Sequence, residues 1–270
     1  MLVACVQLNS RDDKAANVAA ASAFVRQAAA EGARLVALPE TWNYKGSARG
    51  IAENAEPLDG PSTTSMRELA AELGIYLLAG SFYEITGTPD RSYNTSVLFG
   101  PGGEQLAVYR KIHLFDATAG VSVYRESESL LAGAELVTAD VDGVTVGLSI
   151  CYDLRFPELY ISLARLGARV LLVPSAFTAY TGTAHWELLV RARAVDTGCF
   201  VVAPDQVGFH LPDRACFGLS MVVDPWGRLL TELPEGAGMC MARLEPEEVD
   251  CVRADLPVLQ HRRPDVYDLS

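Results

Sequence analysis

The chain has 270 residues, half of them hydrophobic, and a formal net charge of −12. Such length and apolar content suit one large buried core, and no Pro/Ser-rich or charged linker interrupts it, so a single domain over 1–270 is expected. The acidic balance speaks against a nucleic-acid binder, which needs basic surface, and against attraction to anionic membranes. No apolar run approaches the ~20 residues of a membrane helix. Residues 1–8 lead into Asn9-Ser-Arg-Asp-Asp13 rather than a cleavage site, so a cytoplasmic location is expected. The six cysteines, at 5, 151, 199, 216, 240 and 251, form no C-x-x-C or Cys/His cluster, and no metal site is expected. Cys5, Cys199 and Cys240 sit in apolar runs and read as small packed hydrophobes.

In chain order the pattern is written twice. A strand over 2–8, a helix over 16–31 ended by Gly32, and a strand over 34–39 running up to Pro39-Glu40 open the first half. A helix near 62–73 stopped by Gly74, a strand over 75–82, and two runs at 93–99 and 105–110 complete it. The second half repeats the order. A strand over 144–150 is followed by a helix over 156–166 ended by Gly167, a strand over 169–173 up to Pro174, and a helix over 184–196 stopped at Gly198. A strand over 199–203 and two runs at 217–223 and 228–233 close it. Gly32-Ala-Arg-Leu-Val-Ala-Leu-Pro39 and Gly167-Ala-Arg-Val-Leu-Leu-Val-Pro174 match in order and spacing, with Gly stopping each helix and Pro each strand. Strands alternating with helices predict parallel neighbours, and the hairpins add antiparallel ones. The runs are apolar throughout, so both faces must be covered. The expectation is an α/β fold, a four-layer α-β-β-α sandwich of two mixed sheets related by an internal pseudo-twofold repeat. The apolar, Pro-punctuated tail from about 254 to 270 is expected to pack on the domain or on a partner subunit.

Three strand ends carry chemistry. The run 144–150 delivers Cys151-Tyr-Asp-Leu-Arg-Phe-Pro-Glu158, a thiol held by a strand and followed at once by polar residues. The run 34–39 ends in Glu40, and the run 105–110 in Lys111. A free thiol, with a pKa of ~8.5, needs a base or a nearby cation to act as a nucleophile. His113, two residues past Lys111, is a rival base, but Glu40 already places a carboxylate at a strand end. Arg155, four residues after the cysteine, is a candidate clamp for a substrate carboxylate. Its alternative is an internal ion pair with Asp153 or Glu158. Phe177 and Thr178 are expected to line the same pocket, whereas Trp186, Arg191 and Arg193 read as packing and salt-bridge residues of a helix. No Gly-rich phosphate loop or haem signature appears, so no cofactor is expected.

Glu40, Lys111 within Tyr109-Arg-Lys-Ile-His-Leu-Phe-Asp116, and Cys151 within Ile150-Cys-Tyr-Asp-Leu-Arg-Phe-Pro-Glu158 together resemble the Glu–Lys–Cys triad of the nitrilase superfamily of carbon–nitrogen hydrolases. The similarity extends to Asn94-Thr-Ser96, Pro174-Ser-Ala-Phe177, Gly182-Thr-Ala-His-Trp-Glu187, Arg191-Ala-Arg-Ala194 and Met221-Val-Val-Asp-Pro-Trp-Gly227. His185–Ala194 and the ending Leu256-Pro-Val-Leu-Gln-His-Arg-Arg-Pro-Asp265 are most similar to the Nit branch and, within it, to the deaminated glutathione amidases. Gln206–Phe217 and Asp116–Tyr124 depart from that branch, and both are expected at the pocket rim. The resemblance implies the sandwich fold and hydrolysis of a small-molecule amide through a thioester on Cys151. Glu40 would act as base, with Lys111 and the Tyr152 backbone N–H on the oxyanion. Glu126 would be the second glutamate, with Glu128 as its register alternative. An ω-amidase acting on 2-oxoglutaramate or a similar small amide is the alternative; a nitrilase or a catalytically idle interaction module is less favoured. Family members pair through the helices after Cys151 and Pro174, which implies a homodimer or higher homo-oligomer.

Overall fold

Period-two burial along the strands builds the layers. In the first strand, Leu2–Gln7, Val3 and Cys5 face one apolar cluster while Ala4 and Val6 face another. The adjacent strand, Leu35–Ala37, follows suit: Leu35 and Ala37 point one way and Val36 the other. One face packs on helices Lys14–Ala30 and Pro61–Leu73 through Ala21, Val25, Met66 and Leu69. The opposite face meets a second sheet, which is covered in turn by helices Pro157–Arg165 and Ala179–Thr197. Cys5 Sγ donates to the Met221 carbonyl at 3.4 Å and the Ser220 N–H to Gln7 Oε1 at 2.8 Å, joining the sheets. The expected α-β-β-α sandwich is thus present in the computed structural model, which describes residues 1–267.

The repeat holds in topology and register. In the first sheet Leu2–Gln7, Leu35–Ala37 and Tyr76–Leu78 are parallel, followed antiparallel by Ser92–Phe99 and Gln105–Arg110. In the second, Val144–Leu148, Val170–Leu172 and Phe200–Ala203 are parallel, followed antiparallel by Ser220–Val223 and Leu229–Leu233. Each leading strand also has an antiparallel partner. For Val144–Leu148 it is the adjacent hairpin strand Thr138–Val141; for Leu2–Gln7 it is Gly238–Arg243, from the far end of the chain.

Some expected elements differ. The strand expected over 75–82 ends at Leu78, because Gly80 turns at φ +43°, and a Cβ there would sit 2.0 Å from the Pro39 carbonyl oxygen. Only glycine allows that approach. The run expected over 217–223 is broken at Gly218 and Leu219, both at positive φ. That break releases a two-stranded ribbon, Val207–Leu211 with Arg214–Phe217, from Ser220–Val223. The helix expected over 184–196 starts at Ala179, where the Thr178 hydroxyl caps it by accepting from the Thr181 N–H. Helix Glu247–Asp255 was not anticipated. Beyond it, Leu259 packs on the domain's own core, and residues 268–270 of the expected tail lie outside the described residues. Among the described residues no helix is long and apolar enough to cross a membrane.

Candidate active site

The segment that follows strand Val170–Leu172 holds two catalytic candidates by backbone hydrogen bonds. The Pro174 carbonyl accepts from the Cys151 N–H at 3.0 Å, and the Ser175 carbonyl accepts from the Glu40 N–H at 3.2 Å. The corner at Gly80 fixes the backbone after Glu40: Ser81 Oγ accepts from the Thr41 N–H, and the Ser81 carbonyl from the Trp42 N–H. Gln206 Nε2 donates to the Glu40 carbonyl at 3.0 Å. Cys151 itself stands at φ +47° at the start of a single 3-10 turn, Cys151–Arg155. That conformation costs a non-glycine residue about 1–3 kcal/mol and is maintained where surrounding contacts impose it.

Asp153 supplies those contacts. Fully buried, it accepts from the Ile150 N–H at 2.8 Å, the Tyr109 hydroxyl at 2.6 Å and the His113 N–H at 3.1 Å. His113 Nδ1 lies 2.7 Å from the same carboxylate, and its ring stacks on Phe156. His113 is thus held between Asp153 and Phe156. Arg193, on helix Ala179–Thr197, donates to the Leu154 carbonyl at 2.9 Å and steadies the turn from the other side.

At the floor of the cavity Lys111 Nζ donates to Glu40 Oε1 at 2.9 Å and to both Glu126 oxygens at 3.1 and 2.9 Å. Asn94 Nδ2 donates to the same Glu40 oxygen at 2.8 Å. Glu126 also accepts from the Phe115 N–H at 2.8 Å, and it is Glu126 whose oxygens meet the Lys111 ammonium. Only 1% of Lys111 and 3% of Glu40 is exposed, so these charges interact with little screening. Burial would raise the Glu40 carboxyl, but the Lys111 and Lys45 ammonium groups outweigh it and hold the pKa below the ordinary value. Burial and then the Glu40 charge push the Cys151 thiol well above its usual range. Burial would lower Lys111, yet Glu126 and Glu40 drive it well upward. The resting site is a neutral thiol beside a carboxylate and an ammonium.

These groups open into a cavity of about 480 Å³. Tyr152, Arg155, Phe177 and Thr178 all line it. The Arg155 guanidinium lies over the Phe177 and Tyr152 rings, 5.1 and 5.8 Å from their centroids, and 3.3 Å from His185 Nδ1. It pairs with neither Asp153 nor Glu158, so the internal ion pair is not formed. Trp186 is buried with Nε1 donating to the Leu219 carbonyl, and Arg191 bonds Glu187 and the Gly227 carbonyl, as expected of packing residues. Tyr124, His210 and Arg214 also face the cavity, from the two segments expected at its rim, whereas Lys45 and Tyr83 line it and escaped the sequence reading. Lys45 stands on a loop and Tyr83 on the short strand Phe82–Ile85, where no pattern announces direction.

A family model described as carbon–nitrogen hydrolase matches residues 2–254. The chain belongs to the carbon–nitrogen hydrolase family. It is 43% identical to the human (Homo sapiens) deaminated glutathione amidase over 98% of this chain and 83% of that protein. It is 39% identical to the human omega-amidase NIT2 over 98% of this chain and 96% of that one. The crystal structure of Saccharomyces cerevisiae Nit3, described as a member of branch 10 of the nitrilase superfamily, superposes with a TM-score of 0.88 at 35% identity, covering 97% and 96% of the two chains. As a carbon–nitrogen hydrolase of the nitrilase superfamily, the chain is a hydrolytic amidase whose relatives carry amidase names.

Proposed function

We propose that this carbon–nitrogen hydrolase cleaves a carboxylate-bearing amide, such as deaminated glutathione, through a thioester on Cys151. The observation that carries the reading is the buried Glu40–Lys111–Glu126 network beside the Cys151 thiol at the floor of the cavity. As sulfur attacks the carbonyl carbon, its proton passes to Glu40, the ionised neighbour. The oxyanion forms against Lys111 and the Tyr152 N–H, donors worth roughly 2.7–4 kcal/mol each where such groups have been removed. Glu126 fixes the Lys111 ammonium in position. Collapse breaks the C–N bond, and the proton on Glu40 goes to the leaving nitrogen. Water, deprotonated by Glu40, then attacks the thioester, and the acid leaves as the thiol regains its proton.

Arg155 fits the acyl-side carboxylate, since its guanidinium lines the cavity near the Phe177 and Tyr152 rings and forms no ion pair with Asp153 or Glu158. We further propose that residues 1–270 act as one domain in the cytoplasm and that the chain pairs as a homodimer through helices Pro157–Arg165 and Ala179–Thr197. Leu166, Tyr180, Leu188 and Val195 leave apolar surface exposed on that face. The test of the reaction is a comparison of deaminated glutathione with 2-oxoglutaramate, scoring peptide and ammonia separately. Intact-mass spectrometry of the substrate-treated enzyme should show an acyl adduct on Cys151 alone. Turnover by a folded Cys151→Ala variant, or an adduct on another cysteine, would overturn the assignment.

A further inference from the structure

Four cationic side chains line the cavity outside the Glu40–Lys111–Glu126 network: Lys45, Arg125, Arg155 and Arg214. Glu128 is the one further carboxylate of the lining. In a chain of net charge −12 this reverses the sign locally and favours anionic ligands. The arginines have local anchors: Arg125 donates to the Tyr124 carbonyl, Arg214 lies over the Tyr124 ring, and Arg155 over Tyr152 and Phe177. Lys45 has the least. Its ammonium reaches the Thr41 hydroxyl at 3.5 Å, and among the described residues it forms no ion pair, because Lys111 takes the neighbouring carboxylates.

The position of Lys45 gives it a direction. It lies five residues after Glu40, in a loop tied down by its own N–H donating to the Arg11 carbonyl at 2.9 Å. Thr41, Lys45 and Gly46 of this loop all line the cavity. In the proposed reaction Glu40 returns its proton to the leaving nitrogen, so that nitrogen faces Glu40, with this loop lining the same cavity beside it. Arg155 stands on the nucleophile turn instead, on the acyl side. Burial works against the charge on Lys45, and the ionised Glu40 carboxylate is among the groups that raise its pKa. His210, also in the lining, is driven down to about 3 by burial and by Lys45 and Arg214, so it adds no competing charge.

We propose that Lys45 is a specificity residue that binds a carboxylate on the leaving amine, so that amides of amino acids or short peptides are preferred over primary amides. This rests on the proposed amidase reading and deepens it, since the two candidate substrate classes differ in their leaving groups. Deaminated glutathione releases a peptide with a terminal carboxylate; an ω-monoamide releases ammonia, which leaves Lys45 unpaired.

The test compares deaminated glutathione with its C-terminal carboxamide, which keeps the acyl side and neutralises the leaving side. The wild-type enzyme should favour the carboxylate by roughly ten- to a hundredfold in kcat/KM, the range for a charged hydrogen bond. Lys45→Met should collapse that ratio toward one, and Lys45→Arg should restore much of it. Using a ratio cancels general damage to Glu40 or to the fold. An unchanged ratio in Lys45→Met overturns the proposal. If the wild type cleaves neither compound, the proposed substrate class falls instead. Calorimetric titration of both ligands into Cys151→Ala, with and without Lys45→Met, then still decides Lys45: equal affinities for the two ligands in Cys151→Ala overturn it, and a carboxylate preference that Lys45→Met removes supports it.

Discussion

Lys111 is shared between two carboxylates, and that arrangement decides which group gives up a proton and when. With one ammonium against Glu40 and Glu126, the trio carries net negative charge beside Cys151, so the thiol stays protonated until attack begins. The nucleophile is made by transfer to Glu40 within the reaction rather than kept as a standing thiolate. The pH profile follows from the signs. Glu40 is depressed in the fold, so kcat/KM should be flat through neutrality and fall only below the ordinary carboxylate pKa of ~4.3. The basic limb should lie above the ordinary lysine value of ~10.4, because Lys111 is raised. Linkage runs in the same direction for stability. The Glu40 contribution is fully present above the unfolded carboxylate pKa and is lost as pH falls through the depressed folded one. A limb near the ordinary thiol value would instead identify a pre-formed thiolate. Glu40→Gln keeps the shape and removes the base, and stopped-flow acylation should slow by about 10²–10⁴-fold.

At the scale of elements, one buried carboxylate joins the strand that carries Lys111 to the turn that carries Cys151. Asp153 binds Tyr109 on Gln105–Arg110 and Ile150 after Val144–Leu148, strands belonging to different sheets. Asp153→Ala leaves the Ile150 N–H and the Tyr109 hydroxyl without partners, at about 1–3 kcal/mol each. Thermal unfolding should shift down by several degrees, and kcat should fall with it as the Cys151 turn relaxes from positive φ. Tyr109→Phe should cost stability but retain most turnover, and the pair of variants separates fold from site. This linkage was not legible in the sequence, where Asp153 read only as a possible partner of Arg155. The elements were legible because burial imposes a period and Gly and Pro punctuate it, as in the matched Gly32–Pro39 and Gly167–Pro174 phrases. Strand ends also marked Glu40, Lys111 and Cys151, since a charged residue ending an apolar run has to meet water or a site. Lys45 stands on a loop whose course is set by tertiary contacts, so its direction had no local signal. The break at Gly80 depends on the carbonyl of Pro39, forty-one residues earlier in the chain, and no window on the sequence contains both.

For the whole molecule, helix Ala179–Thr197 has two duties. Its buried side holds Trp186 and Arg193 behind the nucleophile turn, while Tyr180, Leu188 and Val195 are exposed on the other. Covering that stripe with a second copy would stiffen the wall that Thr178 and Thr181 present to the cavity. Leu188→Glu should shift the light-scattering mass from dimer to monomer at micromolar concentration and lower thermal stability; an unchanged mass would place the contact elsewhere. The pairing of Leu2–Gln7 with Gly238–Arg243 has a consequence for synthesis. Leu2–Gln7 is an inner strand of its sheet, yet one of its two neighbours, Gly238–Arg243, is made long after it. Throughout translation of the second half, the growing chain therefore exposes an open row of backbone donors and acceptors beside Val3 and Cys5, a template for another strand. A nascent chain stalled short of residue 238 keeps that edge, and the edge invites a neighbouring nascent chain to add its own strand. The order in which these two strands are made thus leaves the chain open to self-association until Gly238–Arg243 is in place, and chaperone cover is needed over that interval.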